Sequence, residues 1–231
     1  IGRSLTMRFV GIGESNIDYV IHQNLTLPPD LIIASQFELG RVDLTFSFPG
    51  NTPEDDRRLK SLESRLIDHI GEYLYADDGS TLEDCIIHLL SQKKATLISA
   101  EVGSGGSIAA SLSHAKDATQ VYTGGYVAPS DRILWKMVDL PASKSNTESL
   151  IQQQITEQTA QYLCEKTGTQ WSLVVSEETQ AADGSKFVWM ALGSIEIGFE
   201  LKQIAIRGHG ETVHANLLNS ALDLLRRKLQ K

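Results

Sequence analysis

The stretch Ala95–His114 constrains this chain most. An apolar run, Ala95–Ala100 (ATLISA), meets Glu101-Val102 and then Gly103-Ser104-Gly105-Gly106, after which Ser107–His114 has the spacing of a helix. A buried strand that passes through a glycine-rich turn into a helix is the building unit of a sheet covered by helices. Elsewhere, strand-like and helix-like segments alternate along the 231 residues. The fold class predicted is α/β, with a partly antiparallel, mixed sheet. A small α+β domain over residues 1–78 is expected to precede an α/β sandwich over 79–231.

In the first part, Ser4–Val10 reads as a strand and Glu14–Asn24 as a helix. Leu31–Phe37 and Arg41–Phe48 read as two strands around Gly40. In the second of these, Val42, Leu44, Phe46 and Phe48 alternate with Asp43, Thr45 and Ser47, the period of a half-buried strand. Asn51-Thr52-Pro53-Glu54 opens a helix that runs to about Ile70, with Asn51 or Thr52 as its cap and Pro53 in its first turn. Tyr73–Tyr75 reads as a short strand. In the second part, helices are expected over Thr81–Gln92, Thr147–Thr167 and Glu211–Leu229. Strands are expected at Gln120–Thr123, Trp171–Ser176, Lys186–Leu192 and Glu196–Arg207, with a paired-glycine turn at Gly124-Gly125.

Charge narrows the function classes. Lys and Arg total 21 against 29 Asp and Glu, a net charge of −8. Such a chain repels phosphate backbones unless it carries a local basic patch, and Arg226-Arg227-Lys228 is the longest basic run. No nucleic-acid partner is expected. The first domain resembles a KH-type unit in outline, yet it has no G-x-x-G loop and is acidic. Cys85 and Cys164 form no C-x-x-C pair, so neither a disulfide framework nor a zinc site is signalled. The six histidines show no metal-ligand spacing, and no metal or cofactor is expected. A reduced, cytoplasmic location without membrane attachment is the simplest reading. The sequence opens at Ile1 in what reads as the lead-in to a strand, and an upstream region is expected to precede it.

The glycine-rich turn is the candidate site. Glycines let a backbone approach a ligand closely, and a helix start presents unpaired N–H groups and the positive end of the dipole. Gly103, Ser104, Gly105 and Gly106 are thus a candidate cradle for phosphate or carboxylate. The turn is not a Walker A loop, a G-x-G-x-x-G or a G-x-S-x-G elbow, because Val102 stands where the elbow needs glycine. A plainer reading makes it a tight strand-to-helix turn with Ser104 as the helix cap.

Small motifs in order along the chain resemble the CinA (competence/damage-inducible protein) family, in its middle domain and its C-terminal domain of nicotinamide-nucleotide amidohydrolase (PncC) type. Val10-Gly11-Ile12-Gly13-Glu14-Ser15 is similar to the opening of the middle domain, and Thr81-Leu82-Glu83 before Leu89-Leu90 to the helix leading into the C-terminal one. Ala100-Glu101-Val102-Gly103-Ser104-Gly105-Gly106 stands where the family has Ala-Glu-Ser-Cys-Thr-Gly-Gly, and Gly124-Gly125-Tyr126-Val127 stands at its Gly-Gly-Val-Val. Ala221-Leu222-Asp223-Leu224-Leu225 also fits. The family's N-terminal molybdopterin-binding-like domain has no counterpart here.

The resemblance implies hydrolysis of the carboxamide of nicotinamide mononucleotide through a serine with a tyrosine and a lysine beside it. It also implies a homodimer. In this chain the serine position is Val102, the tyrosine position Pro129 and the lysine position Leu134, with Arg132 and Lys136 close by. The substrate-loop Thr-Gly reads Ser176-Glu177, and both arginines of a late Gly-Asp-Arg-x-x-Val-Arg are replaced across Gly208–His214. Valine offers no nucleophile, proline no phenol and leucine no charge. The reading is a degenerate site in a structural, nucleotide-binding or regulatory module. Its expected ligand-binding set is Glu101, Gly103, Ser104, Gly105, Gly106, Gly124, Gly125 and Ser176. The alternative is an active deamidase with Ser104 as nucleophile and Glu101, His209 or His214 as base or orienter.

Overall fold

The computed structural model describes residues 2–140, 152–208 and 210–231. They form two compact units, Ile1–Leu82 and Glu83–Lys231, with the division a few residues after the expected 78/79.

The first unit holds β1 (Ser4–Val10), α1 (Glu14–Asn24), β2 (Ile32–Glu38), β3 (Arg41–Ser47), α2 (Pro53–Ile70) and β4 (Leu74–Ala76). Its antiparallel sheet has the order β2-β3-β1-β4. The alternation read in β3 is realised: Val42, Leu44 and Phe46 are buried, and Arg41, Asp43, Thr45 and Ser47 are partly exposed. The buried set joins Phe9 of β1, Ile17 and Ile21 of α1 and Leu66 of α2 in one core. β2 and β3 are joined by Leu39-Gly40, both with positive φ (48° and 85°), as a two-residue hairpin loop requires. Thr52, not Asn51, caps α2. Its hydroxyl accepts from the Asp55 N–H at 3.2 Å, the Asp55 carboxylate accepts from the Thr52 N–H at 3.1 Å, and Pro53 opens the first turn.

The second unit is built on a six-stranded mixed sheet. Its elements are α3 (Leu82–Gln92), β5 (Leu97–Glu101), α4 (Ser107–His114), β6 (Tyr122–Val127), α5 (Asp131–Met137), α6 (Gln152–Thr167), β7 (Trp171–Val175), β8 (Thr179–Gln180), β9 (Lys186–Ser194), β10 (Gly198–Ala205) and α7 (Glu211–Leu229). The strand order is β10-β9-β7-β5-β6, with β8 beside β9. β5 runs parallel to β6 and β7, while β9 and β10 are antiparallel additions. Side chains of β5 alternate between two faces. Ile98 and Ala100 pack with Leu134 and Val138 from the α5 region and Ala160 and Leu163 of α6. Glu101 bonds instead to the start of α4. Helices therefore cover both faces of β5, which is the expected sandwich.

Two expectations are corrected. Gly124-Gly125 is no turn: both residues lie inside β6, opposite Ile98 and Ser99 of β5. A Cβ on Gly125 would stand 2.5 Å from the Ser99 hydroxyl, 2.8 Å from the Tyr122 hydroxyl and 2.9 Å from the Ala109 Cβ. The strand it belongs to starts at Tyr122, because Ala118–Gln120 closes a 3₁₀ turn. Helix α5 was not anticipated at all. The Ser130 hydroxyl caps it by accepting from the Ile133 N–H, and Leu134 and Val138 bury its inner face. Of the helix expected from Thr147, residues 147–151 lie outside the described residues.

Candidate functional site

In an open parallel sheet, ligands enter where chains leaving adjacent strands turn to opposite faces, beyond the carboxyl ends of those strands. Here β5 leads to α4 on one face and β6 leads towards α5 and α6 on the other. The crevice is thus framed by Glu101–Gly106 after β5, Ala128–Asp131 after β6, and Ser176–Glu177 after β7.

Glu101 organises the first of these turns. Its side chain is fully buried and accepts three hydrogen bonds: from the Ser104 hydroxyl at 2.7 Å, from the Ile108 N–H at 3.0 Å and from the Ala109 N–H at 2.6 Å. The carboxylate thereby takes the place at the start of α4 that a bound anion would take. Ser104 is not the helix cap. The N-cap residue is Gly106, left-handed at φ 89°, and the capping oxygens come from Glu101 in the preceding strand. Ser104 has no exposed surface. Gly103 is forced by packing, since a Cβ there would lie 2.5 Å from Val188 and 2.7 Å from the Ser176 carbonyl.

Ser176 is held in the ladder to β9. Its hydroxyl accepts from the Trp189 N–H at 2.9 Å and donates to the Glu177 carbonyl at 2.9 Å. The structure therefore brings Glu101, Gly103–Gly106 and Ser176 together, and the Gly103 N–H donates to the Ser176 carbonyl. Gly124 and Gly125 sit within β6, paired with Ile98 and Ser99 of β5, and Gly125 also lies against Ala109 of α4. His214 lies on α7 with its ring against Gly105, where a Cβ would be 3.4 Å from its Cε1. His209 lies outside the described residues. Val102 and Leu134 are buried apolar side chains, and Pro129 is exposed.

Sequence reasoning missed two features. The Tyr122 phenol is buried, bonds to the Ser99 hydroxyl at 2.7 Å, and is pushed up to about 12 by that burial. The second is a lock between the turns after β6 and β7. The Glu177 carboxylate accepts the Asp131 N–H at 3.2 Å, and the Asp131 carboxylate accepts the Glu177 N–H at 2.9 Å. Gln152 of α6 donates to both the Asp131 carboxylate and the Glu177 carbonyl. Burial raises the Asp131 carboxyl above its ordinary range; the Gln152 and Glu177 hydrogen bonds oppose that shift. The lock walls a cleft of about 790 Å³, which Arg132, Trp135 and Lys136 of α5 also line. Ser130-Asp131 before Leu134 is the sequence signal for this helix.

The CinA C-terminal domain family matches residues 79–229. The chain belongs to the CinA family. A protein of Caldicellulosiruptor bescii named as competence-damage inducible is 26% identical over 98% of this chain and 56% of its own length. A CinA-like protein of Prochlorococcus marinus is 26% identical over 75% of this chain and 41% of its own. The chain thus spans about half the length of the curated relatives it matches. Among solved structures, a CinA superfamily protein of Klebsiella pneumoniae is similar with TM-score 0.57 and 22% identity, covering 64% of this chain and 96% of that one. A competence or damage-inducible protein of Enterobacter asburiae gives TM-score 0.55 at 18% identity, covering 64% of this chain and 96% of that one. At such identities the likeness concerns the CinA fold alone. No helix among the described residues is long and apolar enough to cross a membrane.

Proposed function

We propose that this CinA-family chain is a non-catalytic binding or regulatory module built on a degenerate nicotinamide-nucleotide amidase site. The observation that carries the reading is the state of the turn after β5. Its one hydroxyl, on Ser104, is fully buried and committed to Glu101, while Val102 and Leu134 fill with hydrocarbon the positions that the family resemblance assigns to nucleophile and ammonium. A hydroxyl attacks an amide only with access to it and a base to receive its proton. Here the acceptor is present and the access is missing. The test is ammonia release from nicotinamide mononucleotide, measured beside an equal amount of an active relative. No release above the blank is expected. Turnover comparable to the relative would refute the reading.

One observation favours an active deamidase instead. The Ser104–Glu101 pair, at 2.7 Å, has the spacing of a nucleophile and its base. On that reading Ser104→Ala abolishes turnover. On the degenerate reading there is no turnover to abolish, and any ligand retained is detected as a mononucleotide-dependent rise in melting temperature.

A further inference from the structure

An edge strand offers a row of free backbone groups to an incoming strand, and proteins block such edges with short strands, lysines, bulges or kinks. β4 is three residues long and its register with β1 is broken. β6 carries a register shift against β5 and Gly124 at φ 121°. β10 carries Lys202, which is exposed. β2, the outer strand of the first sheet, has none of these devices. It is seven residues long, pairs with β3 in unbroken register, contains no lysine, proline or glycine, and is exposed along its whole length.

The two faces of β2 differ. Ile33, Ser35 and Phe37 share the helix-covered face with Phe46, Leu44 and Val42 of β3, while Ala34, Gln36 and Glu38 lie on the open face opposite Thr45, Asp43 and Arg41. Ile33 is 38% and Phe37 60% exposed, so the apolar face runs one strand beyond the cover that α1 and α2 provide. Between α1 and β2 lies a cleft of about 510 Å³, with Ile33, Ser35 and Leu44 on the sheet side and Glu14 and Asp18, one helical turn apart, on the helix side. The Ser35 hydroxyl donates to the Glu14 carboxylate, which places that charge over the middle of β2. No lysine or arginine lines the cleft; its one other ionisable side chain is His22, with Nδ1 3.2 Å from the Asp18 carboxylate.

We infer that this edge binds an extended, basic segment of another protein, added to the sheet as a fifth strand beside β2. A strand so added stands about 4.8 Å away, and every second side chain falls on the helix-covered face. The residues opposite Ile33 and Phe37 then face hydrocarbon, and the residue between them, opposite Ser35, faces the Glu14 carboxylate, with Asp18 one turn further along α1. The segment that fits is apolar, polar, basic, polar, apolar, with a Lys or Arg at its centre and its polar side chains on the open face. Backbone hydrogen bonds and the two apolar cross-strand pairs supply the affinity. The exposed carboxylates add little attraction of their own but decide which strand is accepted, because an acidic residue at the centre meets like charge. The same acids argue against β2 taking a strand like itself, which would bring Ser35 and no cation to Glu14. This surface lies in the first unit and does not depend on the reading of the turn after β5.

The test uses the whole chain and a dye-labelled peptide, acetyl-Thr-Val-Thr-Lys-Thr-Val-Thr-amide, followed by fluorescence anisotropy. Saturable binding is expected, with amide hydrogen exchange slowed across Ile32–Glu38 when the peptide is bound. Replacing the central lysine of the peptide by glutamate is expected to weaken binding about tenfold or more, and added salt to narrow the difference. The paired substitution Glu14→Lys and Asp18→Lys is expected to reverse the preference, so that the glutamate peptide binds more tightly than the lysine one. That reversal is a gain of binding, which a misfolded variant would not show. Absence of saturable binding by the lysine peptide overturns the inference. So do equal affinities for the two peptides, a preference that the paired substitution leaves unchanged, and protection from exchange elsewhere than β2. A dimer of the peptide-free chain that Phe37→Asp dissociates, seen by sedimentation equilibrium, would make a second copy the occupant and overturn it as well.

Discussion

Glu101→Gln tests the reading of the turn most directly. The Glu101 carboxylate serves three donors with two oxygens: the Ser104 hydroxyl and Ile108 N–H share one, and the Ala109 N–H has the other. An amide of the same shape keeps one oxygen. If it stays with the shared pair, an NH₂ is turned on the Ala109 N–H, donor against donor. A buried donor left without a partner costs about 1–3 kcal/mol. Removing the negative charge from the start of α4 costs about 0.3–1 kcal/mol more, and up to about 2 in a buried setting. The expected loss is therefore about 1.3–4 kcal/mol, and up to about 5 at the buried limit. Ser104→Ala removes one donor but leaves the carboxylate with two N–H partners, so its cost falls near the low end of a charged hydrogen bond, about 1.5 kcal/mol. Urea unfolding followed by tryptophan fluorescence is the assay, because Trp135, Trp171 and Trp189 all lie in the second unit. A loss for Glu101→Gln within about 0.5 kcal/mol, the range of ordinary surface substitutions, would refute the claim that this carboxylate holds the turn.

Three further outcomes are expected. The Tyr122 phenol, pushed up to about 12 by burial from an ordinary 10, stays protonated in the folded chain while the unfolded chain ionises. Stability therefore falls as pH rises above 10, by roughly 2 kcal/mol on reaching 12, and Tyr122→Phe should flatten that alkaline limb; an unchanged slope would sink the assignment. Gly125→Ala forces a methyl within 3 Å of Ser99, Tyr122 and Ala109, and should cost about 1–3 kcal/mol in the same unfolding assay; a neutral result would mean that α4 and β5 yield freely. Thr52→Ala breaks the capping box of α2 and should cost about 1 kcal/mol in thermal unfolding followed by far-ultraviolet circular dichroism, and no shift would show that the cap is dispensable.

Much of the fold was legible because local pattern and tertiary position agree. The period-two alternation of β3 needs one covered face, and α1 and α2 supply it. The span of α2 could be read because its cap, its N1 proline and its apolar stripe point to one answer. β6 failed for the opposite reason. A glycine pair is turn chemistry in isolation, and only the approach of Ser99, Tyr122 and Ala109 shows why glycine is needed inside a strand. α5 failed because its seven residues are too few for periodicity to register.

For the site, sequence alone determined which side chains carry no reactive group. The side chains at Val102, Pro129 and Leu134 carry no hydroxyl, phenol or ammonium in any fold. Tertiary structure decided what the remaining polar groups do. Ser104 and Glu101 are three residues apart, and their types alone allow a cap, an anion cradle or a nucleophile with its base. Parallel pairing of β5 with both neighbours buries the strand end, and α4 starts directly above it. The cheapest partners left for the Glu101 carboxylate are then the N–H groups of that helix and the hydroxyl beside them. Burial and direction, which depend on residues distant in sequence, decided that Glu101 and Ser104 bond to each other and that Glu101 bonds to the start of α4.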